Sequence, residues 1–408
     1  MAFVDDENRK GTNKKWLPRD LRPLLLSMQI LGVYHSPKKF TYKQNDDGSR
    51  QRKAAILQNV WHLTCVVLIL SNFVRSLISL WWSELNTSLY AKCIFVAWCM
   101  QCALNSVSFY LSIVCKSRLP AFFEFWHTYC NGCCFRSPVA LLDRNWVSKI
   151  SLYTTVIVWV LIMGNVVGTS VQMVTVAPEY RQVTEPWKSD IALIVSLIVF
   201  VFASGAWLFP IAFFHVLCKI LWQQFNALEE SLAISEPSCD KLDFIRRQHT
   251  HLCQAVQRAD AVFGPVLGIT YITNVPLAIF LVYQLIFAGF GLFEFLLTSF
   301  WAIMTCITIA VVSFDAAVVN EKAHALKEAV YALEIKDGDL RALQIQSLLL
   351  SRLTGPPIGF TAMGFVVVTK ELILGVLGAI MTYFTILVQL RSSPSSEEDT
   401  MLTTTSSL

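Results

Sequence analysis

The stretch "GVLGAIMTYFTILVQLRSS", residues 375–393, decides how this 408-residue chain is read. With the apolar residues before it, the stretch reaches the roughly 20 residues that cross about 30 Å of hydrocarbon. It nevertheless carries Thr382, Tyr383 and a single amide, Gln389, just before its end. An amide there either hydrogen-bonds across a helix interface or lines a water-filled path. The stretch alone leaves both open.

The composition is that of a membrane chain. Of all residues 54% are hydrophobic and only 15% charged, and the mean hydropathy is +0.51, well above that of an ordinary soluble domain. Apolar runs of spanning length occur near 55–80, 91–115, 150–175, 191–218, 262–288, 293–318 and 361–390. Only a turn containing Gly289 and Gly291 separates the fifth from the sixth. Three regions follow: a basic segment 1–53, a seven-helix domain 54–390 and a polar tail 391–408 expected to be disordered. The opening "MAFVDDENRKGTNKKW" lacks the apolar core and cleavage site of a secretory signal, so the N-terminal segment is expected to be retained.

Positive charge sets the orientation. Twelve of the 33 Lys and Arg precede Ala54, and five fall in each of 116–149, 219–258 and 322–352. Such residues stay on the cytoplasmic side, so the N-terminus is expected inside and, after seven spans, the C-terminus outside. The outer side then receives only Lys92, Arg181, Lys188 and Arg391. The sequon Asn86-Thr87-Ser88 falls in the first outer loop, which makes Asn86 a candidate glycosylation site.

The inner segments are patterned. Leu217, Leu221, Phe225, Leu228 and Leu232 recur at helical spacing after the fourth run, and Val319, Ala323, Leu326, Val330 and Leu333 after the sixth. Leu340, Leu343, Leu349 and Leu353 do so before the seventh. A helix leaving the bilayer with an apolar stripe must bury that stripe. The expected fold is therefore an all-α membrane protein with seven transmembrane helices, a cytoplasmic N-terminus, an extracellular C-terminus and cytosolic helical extensions forming a bundle. Whether that bundle packs only within the chain or also joins subunits stays open.

The segment "LQIQSLLLSRLTGPPIGFTAMGFVVVTKELILGVLGAIMTYFTILVQL" resembles the C-terminal part of the insect gustatory receptors. Their mark is Thr-Tyr, five mostly apolar residues, then Gln-Phe. Here Thr382, Tyr383 and Gln389 match, and Leu390 stands in place of the Phe. Upstream, "LCQAVQRADAVFGPVLGITYITNVPLAIFLVYQL" is similar to that family's fifth span and the helix leading into it. The resemblance is strong over roughly 215–391 and weaker before. It implies a gustatory receptor in the plasma membrane of a sensory neuron, acting as a ligand-gated cation channel that detects small-molecule tastants. It further implies a homo- or heterotetramer with related receptor subunits, its pore lined by the last helix of all four. A seven-helix receptor signalling through a G protein or a partner subunit is the alternative. A secondary transporter would show two related halves with broken helices, a symmetry the sequence lacks.

In such a tetramer Gln389 repeats as a ring near the outer mouth, where amides replace part of a cation's hydration. Ile386 is the candidate constriction. The hydroxyls of Thr382 and Tyr383 are expected on a backbone or an adjacent helix. The resemblance puts a ligand pocket in the outer half of the earlier spans, where Gln172, Tyr283, Tyr271 and Asn274 are candidate ligand-binding residues, and Trp159, Asn165 and Trp207 further aromatic and polar groups. Each is equally a packing residue by type. Phe384 follows Tyr383 where the sugar-sensing branch tends to carry Glu, which argues against a sugar receptor of that branch. Asp315 and Lys370 stand where they can pair at the base of the last helix, with Glu371 competing, or simply snorkel to the cytosolic face.

The 12 cysteines build no secreted disulfide frame. "HTYCNGCC" has metal-like spacing, but no second Cys/His pair follows at zinc-site distance, and His249, His251 and Cys253 are a weaker cluster. Neither a metal nor another cofactor is expected. Walker, dinucleotide, HExxH and Gly-x-Ser-x-Gly signatures are missing, so no enzyme activity is expected. Beside a span, the basic N-terminal segment meets anionic membrane lipid rather than nucleic acid. Epitope tags at the two termini check the orientation: on intact cells the C-terminal tag should be stained and the N-terminal tag only after permeabilisation.

Overall fold

The computed structural model describes residues 16–35, 48–81, 88–131, 144–171, 190–233, 238–289, 291–335 and 339–392. Among them, seven helices are long and apolar enough to cross a membrane: Lys53–Trp81, Lys92–Cys115, Asn145–Val171, Ile194–Leu232, Cys239–Phe287, Leu292–Tyr331 and Lys370–Gln389. They are the first to seventh spans below. The fourth and fifth belong to helices Asp190–Ala233 and Cys239–Phe287. At 1.5 Å per residue each is on the order of 70 Å long, about twice the hydrocarbon thickness. Both therefore run on past one face of the membrane.

At that end the extensions bury the stripes that their spacing demands. Leu217, Leu221, Phe225, Leu228 and Leu232 are buried, as are Val319, Ala323, Leu326 and Val330. The helix Leu340–Thr354 departs from expectation, because Leu340 and Leu343 are exposed while Ala342, Ile345, Leu349 and Leu353 pack inward. Its start explains the difference. The Asp339 carboxylate caps it by accepting the Ala342 N–H at 3.0 Å, and this fixes the rotation that buries the face of Ala342.

Part of the expected cytoplasmic segment is instead built into the bundle. In residues 16–35, Leu17, Leu21, Leu24, Leu25, Met28, Leu31, Val33 and Tyr34 are all buried. The Trp159 indole donates to the Ser27 hydroxyl at 3.0 Å and the Trp61 indole to the Ile30 carbonyl at 3.2 Å. Gly32 takes φ +63°, with the Cys65 thiol where a side chain would stand, and this turn brings His35 Nδ1 within 3.5 Å of His62 Nδ1. Burial holds the His35 imidazole below its ordinary pKa. The segment is too short to span, so a window set for spanning length passes over it.

The glycine turn between the fifth and sixth spans forms as expected, with Gly289 at φ +63°. The seventh span differs at its start, since its helix begins at Lys370 rather than 361. Residues 361–367 form a two-stranded antiparallel hairpin, Thr361–Ala362 (β1) with Val366–Val367 (β2). Met363 and Gly364 turn it with φ of 54° and 82°, a backbone that helix cannot use. The hairpin lies on the fifth span so closely that a Cβ on Gly268 would stand 2.3 Å from Met363 Cγ. Gly268→Ala should lower stability by about 1–3 kcal/mol through overpacking. Gly291→Ala meets nothing within 4 Å and should cost only the N-cap preference of glycine over alanine, about 0.5–1 kcal/mol.

Candidate functional site

The seventh helix stands apart in its packing. It is as apolar as the other spans, yet none of its apolar window is buried against the rest of the chain. Leu374, Leu377, Met381, Tyr383 and Ile386 are exposed, and so is Gln389. Thr382, Ile386 and Gln389 share one face by their spacing of four and then three residues. The Thr382 hydroxyl donates to the Gly378 carbonyl at 2.8 Å and the Thr385 hydroxyl to the Met381 carbonyl at 2.8 Å, so both turn back onto their own helix. Around Gly375 and Gly378 nothing lies within 4 Å of where a side chain would be.

What holds this helix is its base. The Asp260 carboxylate on the fifth span accepts the Thr361 N–H at 2.6 Å and the Thr361 hydroxyl at 2.9 and 3.0 Å. The same hydroxyl oxygen accepts the Gly364 N–H at 3.0 Å, and the Met363 N–H donates to the Gly264 carbonyl at 2.9 Å. Phe360 packs edge-on against Phe214 at 4.8 Å. From the sixth span, Asn320 donates to the Ile358 carbonyl at 3.0 Å. His324 Nδ1 donates to the Leu353 carbonyl at 2.7 Å while its Nε2 accepts the Ile358 N–H at 3.1 Å. Finally, Lys370 Nζ meets Glu321 Oε2 at 2.9 Å. The expected Asp315–Lys370 pair does not form. Asp315 is instead held by His215 Nδ1 at 2.6 Å and Lys219 Nζ at 3.7 Å, because its side of the sixth helix faces the fourth.

The expected ligand-binding residues separate. Tyr271 is half-buried and its hydroxyl is 2.8 Å from the Ser313 hydroxyl on the sixth span. Tyr283 packs its ring 4.8 Å from Phe287 in the last turns of the fifth helix. Asn274 is fully buried, and neither its amide nitrogen nor its amide oxygen has a hydrogen-bond partner among the described residues. Gln172 and Asn86 lie outside the described residues. Asn165 organises a separate triad, donating to the Ser204 hydroxyl at 2.9 Å and accepting the Trp301 indole N–H at 2.9 Å. Among the described residues no group of three or more His, Cys, Asp or Glu is placed to hold a metal ion. Cys133 and Cys134 of the metal-like run lie outside them. His249 bonds the Ala323 carbonyl through Nε2 at 2.9 Å, a structural use of the second cluster.

Sequence reasoning missed Asp260, Asn320, Glu321 and His324. A signal existed for the first: an acidic residue just before the fifth apolar run is costly unless something bonds it.

Seven spans, long helical extensions at one end and a last helix with no buried residue in its apolar window describe a multi-pass membrane protein. Residues 21–393 match the family described as 7tm Chemosensory receptor, and the chain belongs to that family. It is a multi-pass protein of the plasma membrane, and a receptor rather than an enzyme. The insect olfactory receptor OR5 from Machilis hrabei superposes with a TM-score of 0.67 at 15% identity, covering 92% of this chain and 98% of that one. The same receptor in complex with eugenol gives 0.68 at 14% identity, with equal coverage. No curated protein matches by sequence.

Asp260→Ala removes the acceptor of the Thr361 N–H and of the Thr361 hydroxyl, and each such bond to a charged group contributes about 1.5–3 kcal/mol. Hydrogen exchange at the Thr361 and Gly364 amides should speed up by tenfold or more, while exchange in the core of the fourth span stays as in the native protein.

Proposed function

We propose that this receptor is a ligand-gated cation channel of the gustatory type, opened by small-molecule tastants and built from four copies of this chain or of related subunits around their seventh helices. The supporting observation is the seventh helix itself, apolar along its length and with no residue of its apolar window fully buried by its own chain. An apolar helix in that position is covered by lipid on one side and by other copies on the other. Open space beside Gly375 and Gly378 favours close approach of a neighbouring helix.

In this reading the face of Thr382, Ile386 and Gln389 turns toward the axis. Gln389 forms a ring of amides that substitutes for part of a cation's hydration, and Ile386 forms an apolar constriction that gates by dewetting. The orientation is that of the charge distribution, with the N-terminus cytoplasmic. The ligand reaches the polar groups of the earlier spans, Asn274 and Tyr271 among them, with Tyr283 and Gln172 nearer the outer side. Movement there reaches the pore helix through the Asp260–Thr361 attachment.

Excised-patch recording from cells expressing this chain, with a tastant panel that includes eugenol and with no nucleotide, tests the proposal. A ligand-evoked cation current is expected, with relative cation permeabilities changed several-fold by Gln389→Ala and resting current raised by Ile386→Ala. Permeability and gating indifferent to both substitutions would remove the seventh helix from the pore.

A further inference from the structure

A layer of buried polar side chains lies between the second, fourth and fifth spans. On the second span, Ile94, Trp98, Gln101, Asn105 and Phe109 share one face at helical spacing. On the fifth, Phe263, Thr270, Asn274, Leu277 and Leu281 do the same. The two faces meet at both ends: Ile94 clusters with Leu277 and Leu281, and the Phe109 ring lies 5.8 Å from Phe263. Gln101 and Asn105 therefore fall opposite Thr270 and Asn274. The fourth span closes the third side. Its Phe200 stacks on Trp98 at 5.5 Å and its Phe214 packs on Phe263 at 5.5 Å. Trp207 is midway between them, two turns from each and edge-on to Trp98 at 6.3 Å.

The polar groups of this layer lack partners. Gln101, Asn105, Thr270 and Asn274 are fully buried and Trp207 nearly so. Both amide atoms of Gln101, Asn105 and Asn274, the Thr270 hydroxyl and the Trp207 indole nitrogen have no hydrogen bond among the described residues. Each costs about 1–3 kcal/mol in that condition, and apolar residues of the same shape would avoid it. A layer kept polar against that cost, inside a membrane bundle, is the signature of a functional site. Its chemistry is also definite: three amides, a hydroxyl and an indole N–H supply donors and acceptors, and none of them carries charge.

We infer that this layer is a binding site for a small uncharged ligand that both donates and accepts hydrogen bonds and lays a flat or apolar face against Trp207 and Trp98. The assignment rests on reading the chain as a small-molecule receptor, and it names the ligand class. Charged ligands are excluded, since none of these residues supplies a counter-charge to offset desolvation. The site lies one turn from the Asn165–Ser204–Trp301 triad, because Trp207 follows Ser204 by three residues. It shares the fifth helix with Asp260, and so with the base of the seventh.

Thermal unfolding of the purified full-length receptor tests this without requiring current. The probes are nicotinamide and nicotinate, which carry an amide or a carboxylate on the same ring, and myo-inositol as a second neutral probe. At millimolar concentration a neutral probe should raise the melting temperature of the native protein by about 2 °C or more, and nicotinate should not. Gln101→Leu and Asn274→Leu should melt at or above the native temperature and lose the shift, while Leu292→Ala, at an exposed position outside the layer, keeps it. No shift from either neutral probe, an equal shift from nicotinate, or Leu variants that melt lower yet keep the shift would overturn the assignment. If the Leu variants do not fold, Thr270→Val decides it, replacing one hydroxyl by a methyl at nearly constant shape. A several-fold weaker probe midpoint supports the site, and an unchanged midpoint rejects it. A receptor that shows the shift but passes no current in patches rejects the channel alone, whereas a conducting channel without the shift rejects the site alone.

Discussion

The carboxylate of Asp260 receives both the amide and the hydroxyl of Thr361, and the position of the seventh helix depends on that attachment. Most helices in a bundle are located by the apolar surface they bury. No residue of this one's apolar window is fully buried, so its placement leans on its base, where the hairpin lies on the fifth span and Lys370 meets Glu321 of the sixth. A shaft held at one end changes direction when its base tilts. The fifth helix runs from Asp260 to Asn274 through Pro265, which leaves the Ala261 carbonyl to accept Arg118 at 2.8 Å, and covers roughly 20 Å at 1.5 Å per residue. It is thus the element that touches both the buried amides and the foot of the seventh helix.

The bundle treats its buried polar groups in two opposite ways. Where rigidity is needed they are satisfied: Asp315 between His215 and Lys219, Asn165 between Ser204 and Trp301, and His324 bridging Leu353 to Ile358. His324 accepts one bond and donates another, which requires the neutral ring with its proton on Nδ1. Between the second, fourth and fifth spans the amides are left unsatisfied. Both kinds are polar side chains in a membrane bundle and look alike in composition. On the proposed assignment it is the gathering of unpartnered groups in one layer that sets a ligand surface apart from a strut.

That distinction marks how far the sequence could be read. The spans were legible because little besides a bilayer calls for an apolar run of that length, and the stripe from Leu217 to Leu232 because a repeat of three to four residues leaves one face to bury. Leu340 and Leu343 were misplaced because leucine at helical spacing does not say which of two overlapping faces turns inward. The cap at Asp339 decides that. Residues 16–35 were passed over because a short apolar run that enters the bundle and stops is invisible to a rule about crossing. Pairings such as Asp260 with Thr361, or Lys370 with Glu321 in place of Asp315, depend on how long helices are rotated against each other. Of the four expected ligand residues, Tyr271 and Tyr283 pack on Ser313 and Phe287 while Asn274 is buried without a partner among the described residues, a difference set by how the helices are rotated and not by residue type.

The uncovered seventh helix constrains the assembly as well as the fold. Lipid accepts Leu374, Leu377 and Met381 without difficulty, and a helix meant only for lipid has no use for bare backbone. Gly375 and Gly378 lower helix propensity by about 1 kcal/mol each relative to alanine, and here they leave open space beside them rather than relieving a clash within the chain. Within membranes such positions matter where another helix comes close, since packing between helices rests on contact and not on a hydrophobic drive. On the proposed assembly the helix that approaches Gly375 and Gly378 belongs to a neighbouring subunit, because the described residues of this chain leave that surface open. The same geometry that leaves no residue of the apolar window fully buried then suits the seventh helix to packing between subunits.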